Sequence, residues 1–405
     1  MSAIEDKFAK LGCDNAPGQE GRQKKVDLPL IGDKIDGVPV DFSHGDVDAH
    51  EPTPGSLELF SEGYAIGGHQ AYTEYRGAGA LREDLARKLA AFTGAPVSAD
   101  DGIILTPGTQ GALFLAMGAV IGRGDKVAIV EPDYFANRKL VEFFDGELYP
   151  IHMDYMKGEK EGKAGLDLAE LEQAFRDGVT LFEFSNPNNP TGAIYSREEI
   201  LEISRLAEKY GATVIVDELY SRQIFDNREY THLRAQNIVN PDNLLTIIGP
   251  SKTESLSGFR LGVAFGSPKL ITRMEKLQAI VSLRCAGYCQ YVFRNWFEEP
   301  EGWLDERVKA HQAIRDDLLA LFRSVPGITV RPTEGGSYIF PHVEGLKVSI
   351  GDFVKILRTQ ANVTVTPGTE FGPQFTEHFR LNFSQDPKKA HDAIVRTLEI
   401  IQRYR

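Results

Sequence analysis

From about residue 100 the chain repeats one pattern: a short apolar run, a turn, then an amphipathic helix. The runs are "GIILTPG", "DKVAIVEPDY", "VTLFEFSNP", "ATVIVDELY", "NLLTIIGPS" and "FRLGVAFGS". Each is rich in β-branched or aromatic residues and apolar at odd and even positions alike, as a strand covered on both faces must be. Helical stretches lie between them. In "SREEILEISRLAEKYG", Ser196 and Glu199 form a capping box, while Ile200, Ile203, Ala207 and Tyr210 share one face and Gly211 ends it. This alternation predicts an α/β fold with a three-layer, mostly parallel sheet.

Beyond about residue 300 the pattern changes. "GWLDERVKAHQAIRDDLLALFRSV" predicts a long helix, and "ITVRP", "GGSYIFPHV", a helix over 351–361, "FRLNFS" and a final helix follow. These predict a smaller α+β domain. The expected division is 1–60 for an N-terminal arm with part of the small domain, 61–300 for the large domain and 301–405 for the small C-terminal domain. Residues 1–40 are polar and broken by Gly and Pro, which suggests an arm docked on the small domain rather than a packed element.

Composition narrows the classes of function. The 405 residues are 42% hydrophobic and 25% charged, ample for one or two globular domains. A net charge of −13 with scattered basic residues argues against nucleic acid or an anionic membrane as partner. No apolar stretch approaches the roughly 18–20 residues of a membrane span, and "MSAIEDKFAKLGCDNAPGQEGRQKK" lacks a signal peptide's apolar core. Cys13, Cys285 and Cys289 cannot pair fully, so a reducing cytoplasm is expected. Cys285 and Cys289 read as core thiols. No His or carboxylate cluster joins them, so no metal is expected.

Open α/β sheets bind ligands at the carboxyl ends of their strands, and the reactive residues collect there. "TPGTQG" places Gly108, Thr109 and Gln110 at a helix start, where free N–H groups suit an anion, although an ordinary βα turn reads equally well. "SNPNNPTG" presents Asn186, Asn188 and Asn189 on a turn stiffened by two prolines. "VDELY" sets Asp217 at the end of an apolar strand, a costly place for a carboxylate without a cation, and Tyr220 three residues on. Lys252, in "IIGPSKTESLSGFRLG", ends the next run, with Arg260 eight residues later. One ligand uses all of these features: a phosphorylated pyridine aldehyde. It needs phosphate donors, a carboxylate for its ring nitrogen, Asn and Tyr for its phenolic oxygen and an amine for its aldehyde. Lys252 therefore reads as a Schiff-base lysine.

On these residues the chain, from about Asp41 to its C-terminus, resembles the class I/II aminotransferases, the pyridoxal-phosphate enzymes of fold type I. The marks are "NPNNPTG", "VDELY", "SKTESLSGFRLG", "TPGTEFG" and "FRLNFS". The resemblance implies pyridoxal 5'-phosphate as cofactor, Lys252 as its covalent partner, Asp217 at the pyridine nitrogen, and Asn189 with Tyr220 at the ring hydroxyl. It implies Gly108, Thr109, Gln110 and Arg260 at the phosphate, and Tyr134 stacked on the ring. It implies Arg380 on the substrate carboxylate, with Asn189 beside it and the Gly45 backbone lining the substrate pocket. Tyr72 would reach the neighbouring subunit's phosphate, which makes a homodimer with shared active sites.

The chain also departs from the family pattern. Many members have a serine three residues before the lysine; here that position is Gly249, and Ser251, directly before Lys252, is expected at the cofactor. Glu254 is a charge near the cofactor, and Arg284 in "AIVSLRCAGYCQ" is a candidate to face substrate. The expected reaction moves the α-amino group of an L-amino acid to a 2-oxo acid by a ping-pong cycle. The same residues would serve a β-elimination (C–S) lyase or an amino-acid oxidase. A dinucleotide dehydrogenase is excluded, because no G-x-G-x-x-G opens a helix after a strand.

Overall fold

The computed structural model describes residues 2–12 and 28–405. Its centre is a seven-stranded sheet of β1 (Ile103–Pro107), β2 (Lys126–Glu131), β3 (Glu147–His152), β4 (Val179–Ser185), β5 (Thr213–Asp217), β6 (Leu244–Ile248) and β7 (Leu261–Gly266). The order across the sheet is β1-β7-β6-β5-β4-β2-β3. Neighbours run parallel except at β7, which is antiparallel to both β1 and β6.

All six apolar runs form strands of this sheet. Pleat alternation sends their side chains to opposite layers. Leu181, Ile215 and Ile247 meet Leu113, Ala116 and Met117 of the helix Gly108–Val120 on one face. Phe182, Phe184, Val214 and Val216 meet Ile200, Ile203 and Ala207 of the helix Arg197–Tyr210 on the other. The capping box of that second helix forms: the Ser196 hydroxyl accepts from Glu199 N, and Glu199 accepts from Ser196 N.

Strand β3 was not among the expected runs. It lies at the sheet edge with most of its residues partly exposed, so it lacks the unbroken apolar character that marks the others.

A separate core joins Val40 and Phe42 to residues of the C-terminal third, including Ile314, Phe322, Phe353, Phe379 and Ile394. It covers the antiparallel strands Tyr338–Ile339, Phe379–Asn382 and Thr366–Pro367. The long helix spans Trp303–Arg323 and the final one Pro387–Arg403.

The N-terminal arm corrects the expectation. Residues Ala3–Leu11 are a helix with its own Ser2/Glu5 capping box. It lies beside the helix Phe135–Phe143, where Lys7 Nζ is 3.2 Å from Asp145 and 4.9 Å from the Phe143 ring centre. Only residues from about 30 onward run along the C-terminal elements: Ile31 N donates to the Tyr404 hydroxyl, Ile35 N to Gln360 O, and Val40–Asp41 pairs with Val363–Thr364. Cys285 is buried and Cys289 partly buried, both free; Cys13 lies outside the described residues. Among the described residues no helix is long and apolar enough to cross a membrane, and no His, Cys, Asp or Glu group could hold a metal.

Candidate active site

Strands β4, β5 and β6 end side by side, with Ser185 in register with Asp217 and Asp217 with Ile247. The loops after them therefore open at one place. There they surround a cavity of about 740 Å³, its mouth included.

Asp217, Asn189, Tyr220, Ser251, Lys252 and Arg260 all line it, together with Thr109, Gln110 and Tyr134 from the other side. Nine of the residues expected from the sequence thus meet around one volume. Gly108 does not line it but starts the helix that does, at φ +75°. No side chain caps that helix; Gly108 N donates to Arg260 O at 3.0 Å, and the N–H groups of Thr109 and Gln110 that follow are the ones left for an anion. A Cβ on Gly108 would sit 2.5 Å from Arg260 Nη2; glycine is what lets the guanidinium come up to the helix start.

Asp217 is partly open to the cavity and accepts from Leu219 N at 3.0 Å. Burial raises its carboxyl to about 6, with the Lys252 charge pulling the other way. Tyr134 donates its hydroxyl to Gln110 Oε1 at 2.9 Å, which fixes the ring as one wall.

Arg380 lies just behind this wall set, 1% exposed. Its Nη1 donates to Asn189 Oδ1 and its Nη2 to Ser43 O, both at 3.1 Å, while its Nε has no partner. The guanidinium stacks 4.3 Å from the Tyr338 ring centre. Gly45 lines an adjoining cleft that shares Ser251, Lys252 and Ser257 with the first cavity. Tyr72 stands apart, 79% exposed on the surface, with the Arg284 guanidinium 5.1 Å from its ring.

The sequence reading lacks Tyr338. Tyr338 lines the cavity, and its hydroxyl accepts a hydrogen bond from the Tyr220 hydroxyl at 2.7 Å. Its signal was the preceding Gly335-Gly336: a Cβ on Gly336 would lie 3.1 Å from the Tyr220 ring, so a glycine lets that strand come close. Glu254 corrects an expectation. It faces away from the cavity, buried against Arg222, which also holds Glu299 at 2.7 and 2.9 Å. Burial raises the Glu254 carboxyl and the Arg222 charge opposes this.

Comparison with known proteins identifies the family. A family model described as aminotransferase class I and II matches residues 40–397. A putative aminotransferase of Bacillus subtilis, YugH, is 28% identical over 83% of this chain and 85% of its own length. An aspartate aminotransferase of Pyrococcus horikoshii is 26% identical over 85% of this chain and 86% of its own. Among solved structures, an aspartate aminotransferase of Rhodobacter sphaeroides superposes with a TM-score of 0.94, is 59% identical and covers 100% of both chains.

Proposed function

Because the chain belongs to the class I and II aminotransferases and is a transaminase, we propose that its central cavity holds pyridoxal 5'-phosphate. The observation that carries this reading is the meeting of an amine, a buried carboxyl, an aromatic wall, an arginine and an uncapped helix start around one cavity. That donor set suits the phosphate, the ring nitrogen, the ring face and the aldehyde in turn.

In this reading the N–H groups of Thr109 and Gln110, with Arg260 and Ser251, bind the phosphate, and Gly108 gives the turn that brings them there. Tyr134 covers the ring face, Asn189 and Tyr220 meet the ring hydroxyl, and Lys252 Nζ is the covalent anchor. When bound, the cofactor supplies an electron sink for charge that develops at the substrate's α-carbon. Asp217 holds a proton at the ring nitrogen. Arg380 grips the substrate carboxylate; its stack on Tyr338 and its bond to Asn189 set the plane of the fork beforehand, so little freedom is lost on binding. Lys252 Nζ, close to Tyr338 and Asp217, moves the α-proton. Gly45 and the cleft around it border the substrate.

The amino donor is an L-amino acid and the acceptor a 2-oxo acid. Aspartate is the donor we propose, on the strength of the Rhodobacter sphaeroides and Pyrococcus horikoshii relatives. The comparisons do not favour elimination or oxidation. We also infer a homodimer in the cytoplasm. Tyr72, with exposed Leu57, Tyr64, Ile280 and Leu283, supports a second copy resting on that face and Tyr72 completing the partner's phosphate site. The division at about residues 60 and 300 remains our reading of the domains.

The test is borohydride trapping with peptide mapping, alongside an assay for a new amino acid from aspartate and 2-oxoglutarate. The label should fall on Lys252, and Lys252→Ala should take no label and lose roughly 10²–10⁴-fold or more in turnover. Trapping at another lysine, or turnover that survives the change, defeats the assignment.

A further inference from the structure

Two carboxyls beneath the site have no part in the chemistry above. Asp133 follows β2 and is 3% exposed; Glu183 lies within β4 and is fully buried. Neither position reads as apolar core, and both lie on the side of the sheet that carries the cavity. Ile129 is in register with Glu183, Glu183 with Ile215, and Ser185 with Asp217.

Asp133 is a hub. Its Oδ1 accepts from Tyr134 N at 2.6 Å and from the Ser185 hydroxyl, and its Oδ2 accepts from Ser185 N at 2.9 Å. The Ser185 hydroxyl in turn accepts from Asn189 N at 3.1 Å, and Asn189 accepts from Arg380. A single carboxylate thus links the aromatic wall on one side of the cavity to the asparagine and arginine on the other. Glu183 is the reverse case: neither of its oxygens has a hydrogen-bond partner. An unpaired buried carboxylate costs several kcal/mol, so the neutral acid is the form that fits there.

We propose that Asp133 is a positioning residue that ties the Tyr134 wall of the pocket to the Asn189 wall, and that Glu183 serves it as a neutral partner acid.

The groups that bear on the pair are few. Asp217, at the end of β5, repels both, and Tyr195 lies within the field of each. The helix Gly108–Val120, which covers this face, has no ionisable side chain. On the helix Phe135–Phe143, Arg138 pairs with Glu131, Lys139 with Glu370, and Glu142 lies beside both cations. Burial raises Asp133 to about 7 against the pull of its three donors, and it raises Glu183 well above the ordinary carboxyl range with nothing to oppose it. Three neighbouring carboxyls cannot all ionise in so small and dry a volume. The one without donors keeps the proton.

This inference rests on the cofactor reading, and its test separates the two. Wild type, Asp133→Asn, Ser185→Ala and Glu183→Gln are titrated with pyridoxal 5'-phosphate, and KM and kcat are measured for the loaded proteins. Infrared spectra are taken for wild type and Glu183→Gln. Asp133→Asn should weaken cofactor binding roughly tenfold or more, the scale of a lost charge-assisted hydrogen bond. It should also raise KM for the oxo acid more than it lowers kcat. Ser185→Ala, which removes the hydroxyl between Asp133 and Asn189 but leaves the Tyr134 N and Ser185 N bonds to Asp133, should move both in the same direction by less, and it decides the matter should Asp133→Asn not fold. Glu183→Gln should keep wild-type cofactor affinity while removing a protonated-carboxyl band. Wild-type affinity and KM in both Asp133→Asn and Ser185→Ala would overturn the tie; a band untouched by Glu183→Gln would overturn the neutral acid. Failure of wild type to take up the vitamer would sink the cofactor reading, and this inference with it.

Discussion

The Tyr220 hydroxyl donates to the Tyr338 hydroxyl across 2.7 Å, a bond that joins the loop after β5 to a strand 118 residues further along the chain. The two phenols divide their roles. Burial and its neighbour keep Tyr220 protonated, far above the usual phenol range. Burial also works against ionisation of Tyr338, but Lys252, Arg380 and the Tyr220 hydroxyl outweigh it and hold that phenol below its usual value.

The first prediction follows from that division. On alkaline titration, one tyrosine should ionise before the bulk, seen as tyrosinate absorbance. Tyr338→Phe should abolish this early component, whereas removing an exposed phenol such as Tyr64 should not. An early component that persists in Tyr338→Phe contradicts the assignment.

Asp217 gives a prediction with a definite sign. Its carboxyl moves from the ordinary 3.8 up to about 6, chiefly by burial. The folded chain therefore holds that proton more tightly than the unfolded chain. The stability it contributes is complete below about pH 4 and is lost as pH rises through about 6. In protein stripped of cofactor, Asp217→Asn should match wild type in melting temperature near pH 4 and exceed it above pH 6. In loaded protein, the same change should lower kcat by roughly 10²–10³-fold, the scale of one lost preorganised electrostatic partner. Parallel melting curves at all pH values would show that the carboxyl is not raised.

Gly262 tests the helix start from below. A Cβ there would lie 2.3 Å from Gly108 C and 2.4 Å from Thr109 N, backbone atoms that cannot step aside. Gly262→Ala should displace the helix start and weaken cofactor binding about tenfold or more, while Gly258→Ala, which meets nothing within 4 Å, should stay within about twofold. Equal affinities in an absorbance titration would remove the helix start from the phosphate site.

The Arg222 cluster should matter for stability. Arg222→Ala leaves Glu254 and Glu299 buried without their cation. Breaking one side of a buried ion pair typically costs about 3–5 kcal/mol, to be read from denaturant midpoints at neutral pH. A loss under about 1 kcal/mol would mean that water reaches these carboxyls.

Much of the site was legible because its residues stand at strand ends, where a polar side chain after an apolar run is conspicuous. Asp217 after "TVIV" and Lys252 after "LLTII" are of this kind. What stayed hidden depends on direction rather than position. Glu254 is two residues from Lys252, yet its side chain is buried against Arg222 and does not line the cavity. Asp133 depends on Ser185, 52 residues away, and Tyr338 on Tyr220, 118 residues away, so neither shows a local pattern. The N-terminal helix was missed because its docking depends on Lys7, Asp145 and Phe143 meeting in space, which no local pattern encodes. Edge strand β3, half open to water, lacks the unbroken apolar run by which its neighbours were found.

The reversed direction of β7 has one more effect. Because β6 and β7 are antiparallel and hydrogen-bonded to each other, the stretch that carries both Lys252 and Arg260 is a single hairpin pinned to the sheet at its two feet. The span between amine and guanidinium is thus gauged by one piece of chain, like the jaws of a caliper. Residues added between them would have to bulge outward or spread the jaws, so the length of this stretch should tolerate far less variation than that of the outer loops.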